Sequence, residues 1–141
     1  MTVADAALAS QLRMTVMRLA RRLRAQRVDT GHTLSQLAAL ATVERHGPMS
    51  PGELAGHEKV QPPSMTKVVA RLEEDGLLQR SAHPSDRRQH LLAVTRAGRD
   101  LLAADRRRRD AWLSRHLAGL DADELAALAQ VLPLLQGLAE S

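Results

Sequence analysis

A chain of 141 residues, 44% apolar and 26% charged, is large enough for one compact domain or a small module with appended helices, and too apolar to be compositionally disordered. The absence of cysteine excludes disulfides, zinc fingers, thiolate metal sites and thiol-based redox sensing, and with no Phe or Tyr and one Trp, Trp112, the chain lacks platforms for stacking single-stranded bases. The net charge of +4 is unevenly spread: residues 1–30 carry six arginines against Asp5 and Asp29, residues 50–99 lean basic and residues 100–141 lean acidic, which suits a polyanion-binding front and middle. No apolar run reaches the ~18 residues of a membrane span. Residues 1–13 lack the basic-then-apolar order of a secretion signal, so a cytoplasmic protein is expected.

In chain order, Leu8, Leu12, Val16, Leu19 and Leu23 recur at steps of three and four and predict a helix with one apolar stripe and arginines on its other faces. Asp29-Thr30-Gly31-His32 breaks it. Thr33 then opens a capping box with Gln36, and Leu34, Leu37, Leu40, Ala41 and Val43 carry a second helix that stops at His46-Gly47-Pro48. Ser50-Pro51-Gly52-Glu53 starts a short third helix with Leu54 and Ala55 in its core. Pro62 and Pro63 suit only a helix's first turn. From there Met65, Val68, Val69 and Leu72 face inward, Ser64, Thr66, Lys67, Ala70 and Arg71 face away, and Gly76 ends the helix. Leu77–Ser81 and Gln89–Thr95 predict a β-hairpin around a polar, basic tip, Ala82 to Arg88. Thr95 caps a long helix to about Ala118. Asp121 and Glu124 cap a last one, with Leu125, Leu128, Leu132, Leu135 and Leu138 apolar and a kink expected at Pro133.

The expected fold class is therefore α+β and mostly helical: a winged helix-turn-helix flanked by N- and C-terminal dimerisation helices. The boundaries are residues 1–32 for the N-terminal dimerisation helix, 33–95 for the DNA-binding lobe, and 96–141 for the long and last helices that complete the dimerisation region. A recognition helix needs short polar side chains where it enters the major groove and cations farther along for phosphate. Ser64, Thr66, Lys67 and Arg71 fit that order. Asp86, Arg87 and Arg88 at the hairpin tip fit a minor groove, with Asp86 pairing across one residue to hold Arg88 outward. Any amphipathic surface helix also shows Ser, Thr and Lys outward, so the wing carries much of the weight.

Residues 34–102 resemble the MarR (multiple antibiotic resistance regulator) family of bacterial transcription factors. The carrying segments are Leu34-Ser-Gln-Leu-Ala-Ala-Leu, Ser50-Pro-Gly-Glu-Leu-Ala, Pro62 through Arg80, and Asp86-Arg-Arg-Gln-His-Leu-Leu-Ala-Val-Thr-Arg-Ala-Gly98. The most specific part is Asp-x-Arg followed by an apolar strand, Thr, two residues and Gly. The resemblance implies a homodimeric winged-helix regulator, often a repressor, bound to double-stranded DNA at a pseudo-palindromic operator. It places a minor-groove arginine at Arg88, with Arg87 the nearby alternative. Two residues depart from the pattern. Glu58-Lys59 stands where an apolar residue and Gly are usual, so Lys59 needs a left-handed backbone or a shifted turn, and Gln61 replaces the usual Ser or Thr cap.

The family often releases DNA on binding small aromatic or anionic ligands in a cleft between the dimer helices and the DNA-binding lobe. Leu102, Asp105, Arg109, Trp112 and His116 share one face of the long helix. Met14, Met17, Arg18, Arg109 and Trp112 form the expected ligand set. Arg106 to Arg109 otherwise reads as a solvated face, with i,i+4 pairs Asp105–Arg109 and Arg106–Asp110. No two histidines lie at i+3 or i+4, so no metal site or cofactor is expected. Nor is an enzyme: Gly-x-Ser-x-Gly, His-Glu-x-x-His, Gly-x-Gly-x-x-Gly and the phosphate-binding loop are all missing. The competing reading is a winged-helix protein-interaction module without specific DNA binding.

Overall fold

The computed structural model describes residues 2–26 and 31–141. In order it holds α1 (Val3–Arg24), α2 (Leu34–His46), α3 (Pro51–Glu58), α4 (Pro62–Glu74), β1 (Leu78–Ala82), β2 (His90–Val94), α5 (Arg96–Leu117) and α6 (Ala122–Glu140). The helix starts are chemically marked. Thr2 with Asp5, Thr33 with Gln36 and Asp121 with Glu124 form reciprocal capping boxes. Ser50 Oγ accepts from the Glu53 N–H, but the Glu53 carboxylate accepts from the Ser50 hydroxyl rather than from the main chain. The expected helix breaker at Asp29 and Thr30 lies outside the described residues; Gly31 beside it has φ +75°.

The chain forms two compact units, residues 28–106 and residues 1–27 with 107–141. The first is the winged helix. Its core joins Ala39, Leu40 and Val43 of α2, Leu54 and Ala55 of α3, Met65, Val69 and Leu72 of α4, Leu78 and Leu92 of the hairpin, and Leu102 of α5. Leu34, expected among the inward residues of α2, is exposed instead; Ala39 takes an inward place. Leu40, Val43, Leu54, Val69, Leu72 and Leu92 are fully buried, each worth roughly 1.5–3 kcal/mol of transfer free energy.

The hairpin pairs Leu78 with Val94 through Ala82 with His90, antiparallel. Its second strand, β2, gains a second partner, because Met49 and Leu92 exchange main-chain hydrogen bonds of 3.1 and 2.7 Å. The end of α4 is a Schellman turn, with Leu77 N–H on the Leu72 carbonyl, Gly76 N–H on that of Glu73, and Gly76 at φ +72°. Thr95 locks this turn to α5: its hydroxyl donates to the Gly76 carbonyl at 2.6 Å and accepts from the Gly98 N–H at 3.1 Å. A Cβ on Gly98 would lie 2.5 Å from the Leu77 carbonyl oxygen and 2.8 Å from Val94 Cγ1. The Thr-x-x-Gly spacing is thus a packing requirement.

The second unit holds α1, the end of α5, and α6, which runs through Pro133. No described residue of α1 or α6 is buried. Trp112 is buried at 8% exposure, with the Arg22 guanidinium 5.5 Å from its ring centre and the His116 ring 4.1 Å away.

Candidate nucleic-acid interface

Helix α4 starts without a side-chain cap, since Gln61 makes no capping bond. Pro62 and Pro63 have no N–H, and the N–H groups of Ser64 and Met65 both donate to the Gln61 carbonyl. The helix front therefore has few main-chain donors to spare for a phosphate, and positive charge there must come from side chains. At 3.6 residues per turn, Lys67 lies nearly opposite the buried Met65, Val69 and Leu72. Ser64 and Arg71 fall on one flank of that outer face and Thr66 on the other; all four are exposed.

Three of the four have a distinct local setting. Ser64 lines a shallow concavity with Ser35, Ala38, Glu58, Val60 and Val68. The Thr66 hydroxyl donates to the Pro62 carbonyl at 3.0 Å, so it presents its lone pairs and methyl outward rather than its proton. Arg71 is not the free cation that the sequence suggests. Its Nε donates to Asp75 Oδ2 at 2.7 Å, and His32 Nε2 reaches the same oxygen at 2.7 Å. The Arg71 hydrogen bond, then that of His32, holds the Asp75 carboxyl below the usual carboxylate range. The guanidinium is thereby aimed by a residue one helical turn away.

The turn into α4 is set by Lys59, left-handed at φ 54° and ψ 43°, at a cost of about 1–2 kcal/mol that a glycine would avoid. Of the two geometries open at Glu58-Lys59, the chain adopts the left-handed one. Glu58 fills the usual apolar position by accepting from the Thr42 hydroxyl at 2.8 Å. Arg80 donates to Glu73 at 2.8 Å, a tie between β1 and the last turn of α4 that sequence reasoning missed. A basic strand residue seven positions after an acidic helix residue was its only signal.

At the wing tip Arg87 and Arg88 are exposed. Asp86 Oδ1 accepts from the Arg88 main-chain N–H at 2.9 Å, not from its guanidinium as the sequence reading had it. An aspartate two residues before a main-chain N–H closes an Asx turn, which orders the backbone and leaves the side chain outward. In α5, Arg106 pairs with Glu44 of α2 rather than with Asp110. Asp105 is buried and Arg109 half-buried.

In the expected ligand set, Met14 and Met17 are 44% and 56% exposed, Arg18 is exposed, and the α1 cation over the Trp112 indole is Arg22. Among the described residues no group of three or more His, Asp or Glu is placed to hold a metal ion. His46 and His57, far apart in sequence, stack with ring centres 4.4 Å apart.

A model of the MarR family matches residues 32–90. The chain is 44% identical to an HTH-type transcriptional regulator of Mycobacterium tuberculosis over 96% of its own length and 95% of that protein's. It is 31% identical to the HTH-type transcriptional repressor MdtR of Bacillus subtilis, covering 79% of this chain and 72% of that one. A solved structure of a putative transcriptional regulator from Pseudomonas aeruginosa superposes with a TM-score of 0.89 at 35% identity, covering 100% of this chain and 99% of that one.

Proposed function

The chain belongs to the MarR family of transcriptional regulators, and on that premise we propose that it acts as a homodimeric repressor on a pseudo-palindromic operator. The observation that carries this reading is one lobe showing two basic elements at once: Lys67 and Arg71 on α4, and Arg87 and Arg88 at the hairpin tip, all exposed. In that reading α4 enters the major groove, with Ser64, Thr66 and Lys67 on base edges and Arg71 on phosphate. The wing, ordered by Asp86, lays Arg88 or its neighbour Arg87 along the minor groove. No catalytic step is part of it. In the same reading the protein works in the cytoplasm, where a double-stranded DNA partner would be met. Among the described residues no helix is long and apolar enough to cross a membrane.

Dimerisation rests on the second unit. Leu8 at 62%, Val16 at 47%, Leu132 at 52% and Leu138 at 62% exposure leave apolar faces of α1 and α6 uncovered. A second copy would cover them and, by twofold symmetry, set two recognition helices about one DNA turn, ~34 Å, apart.

For an effector we propose a small aromatic or anionic compound, bound by the set Met14, Met17, Arg18, Arg109 and Trp112. Arg22 joins it, because a carboxylate or phenolate would compete with the indole for that guanidinium. Trp112 is the sole tryptophan, so its fluorescence reports such a displacement directly.

Selection of bound duplexes from a random pool, followed by a mobility shift on the upstream region of the protein's own gene, tests the reading. Enrichment of an inverted repeat is expected. Enrichment of no sequence, with retention of a protein partner, would leave the interaction-module reading in its place.

A further inference from the structure

The wing tip is built around an imidazole. His83 is the first residue after β1, and its Nδ1 accepts the Ser85 N–H at 3.1 Å and the Asp86 N–H at 3.2 Å, with Ser85 Oγ also 3.2 Å away. Pro84 lies between and brings no N–H of its own. His83 N–H donates to the Gln89 carbonyl at 3.2 Å and Gln89 N–H to the Asp86 carbonyl at 3.1 Å, so the loop closes on itself around the ring. Asp86, whose backbone the imidazole holds, in turn fixes the Arg88 main chain.

Two main-chain donors can converge on Nδ1 only if it carries a bare lone pair. The ring is therefore neutral, with its proton on Nε2. A proton on Nδ1 would turn the acceptor into a third hydrogen facing two others, and both bonds would be lost. Besides His83, the charged and titratable groups of the hairpin are Arg80 on β1, Asp86, Arg87 and Arg88 in the tip, and His90 on β2 opposite Ala82.

We propose that His83 is the positioning residue of the wing: neutral, it orders Asp86 and the wing arginines for DNA, and protonated, it loosens the tip and weakens binding. This rests on the DNA-binding reading above. The sign makes it informative. Protonating any histidine adds positive charge near a polyanion, so Coulomb attraction alone predicts tighter binding at lower pH.

The test uses the full chain and a duplex of its own upstream region, titrated at fixed salt from about pH 8 to about pH 6. His83→Asn is the rescue variant: its side-chain oxygen can accept the same N–H groups and does not titrate. The wild type is expected to lose about threefold in affinity relative to His83→Asn across that range, since protonation of one ordinary imidazole can cost at most about fourfold by pH 6. His83→Ala, lacking any acceptor, should bind weakly at both ends. Parallel profiles for wild type and His83→Asn would overturn the proposal.

Nitrogen NMR of the free protein separates the pin from the DNA reading. At about pH 8 the His83 ring should show the Nε2–H tautomer, and the Ser85 and Asp86 amides should shift as it titrates. The opposite tautomer would overturn the pin even if DNA binds. No binding by any variant at any pH would instead overturn the DNA reading, and the wing role with it.

Discussion

The two units bury their apolar residues in opposite ways. The winged helix closes its own core, with Leu40, Leu54, Leu72 and Leu92 at 0% exposure. The unit of α1, the end of α5, and α6 is at least as rich in leucine, yet α1 and α6 bury no described residue. The difference lies in shape rather than composition. Short helices meeting at angles around a hairpin surround a volume, whereas long, near-continuous helices expose a stripe along their whole length and need a facing stripe to cover it. One unit is folded by its own contacts; the other leaves apolar faces uncovered, which the proposed dimer would finish with a second copy.

Deleting residues 2–25 is the strongest way to break that contrast. It removes α1 and half of the proposed covering surface, and should give aggregated protein with at least about a hundredfold weaker operator binding, since both half-sites are needed. Analytical ultracentrifugation together with a mobility shift reads this out. A folded monomer of full affinity would end the dimer argument.

Next in size is Gly98→Ala, which strikes the self-sufficient core. Gly to Ala inside a helix ordinarily stabilises by up to about 1 kcal/mol. Here the new methyl would meet the Leu77 carbonyl at 2.5 Å, and a loss of about 1–3 kcal/mol in urea unfolding is expected. A stabilised variant would show that the α5 start has room to shift.

At the wing, Arg88→Ala should weaken operator binding by roughly 1–3 kcal/mol. Asp86→Ala should weaken it less, through the unravelled Asx turn. Net charge predicts tighter binding for Asp86→Ala, so a titration at fixed salt decides between positioning and attraction. Arg71→Ala should lower all sequences alike and cut the salt slope by about one unit.

The smallest effect belongs to Asp75. Its carboxyl is held low by Arg71 and His32, so it contributes stability above the ordinary carboxylate value of about 4, and that contribution fades as pH falls through its lowered folded value. Acid unfolding curves of wild type and Asp75→Asn should therefore differ near neutrality and converge in strong acid. Curves that stay parallel into acid would deny the carboxylate its role.

Periodicity and capping chemistry made most of the fold legible. Thr33 with Gln36, Gly76, the hairpin and the α5 start at Thr95 follow from local rules that tertiary contacts did not override. The outward residues of α4 and the wing were legible for the same reason. What sequence could not give was the use of side chains already committed within the lobe. Arg71 on Asp75, Arg80 on Glu73 and Arg106 on Glu44 are choices among many carboxylates, decided by distances that spacing alone does not fix. Only Arg71 sits at a helical i,i+4 step from its partner. His83 looked like any loop histidine because main-chain donors, which every sequence has, are what select it.

The bridge between Met49 and Leu92 bears on amide exchange. Leu92 lies mid-strand with no solvent exposure, and its N–H is bonded across to a segment that precedes α3. Fraying of the hairpin from its tip releases the Ser85 and Asp86 amides without touching that bond. The Leu92 deuteron should therefore enter only when the whole lobe opens, while tip amides exchange through local excursions of much lower free energy. A single hairpin thus carries both ends of the lobe's stability scale, and the ratio of the two exchange rates measures how far the wing can move while its base stays closed.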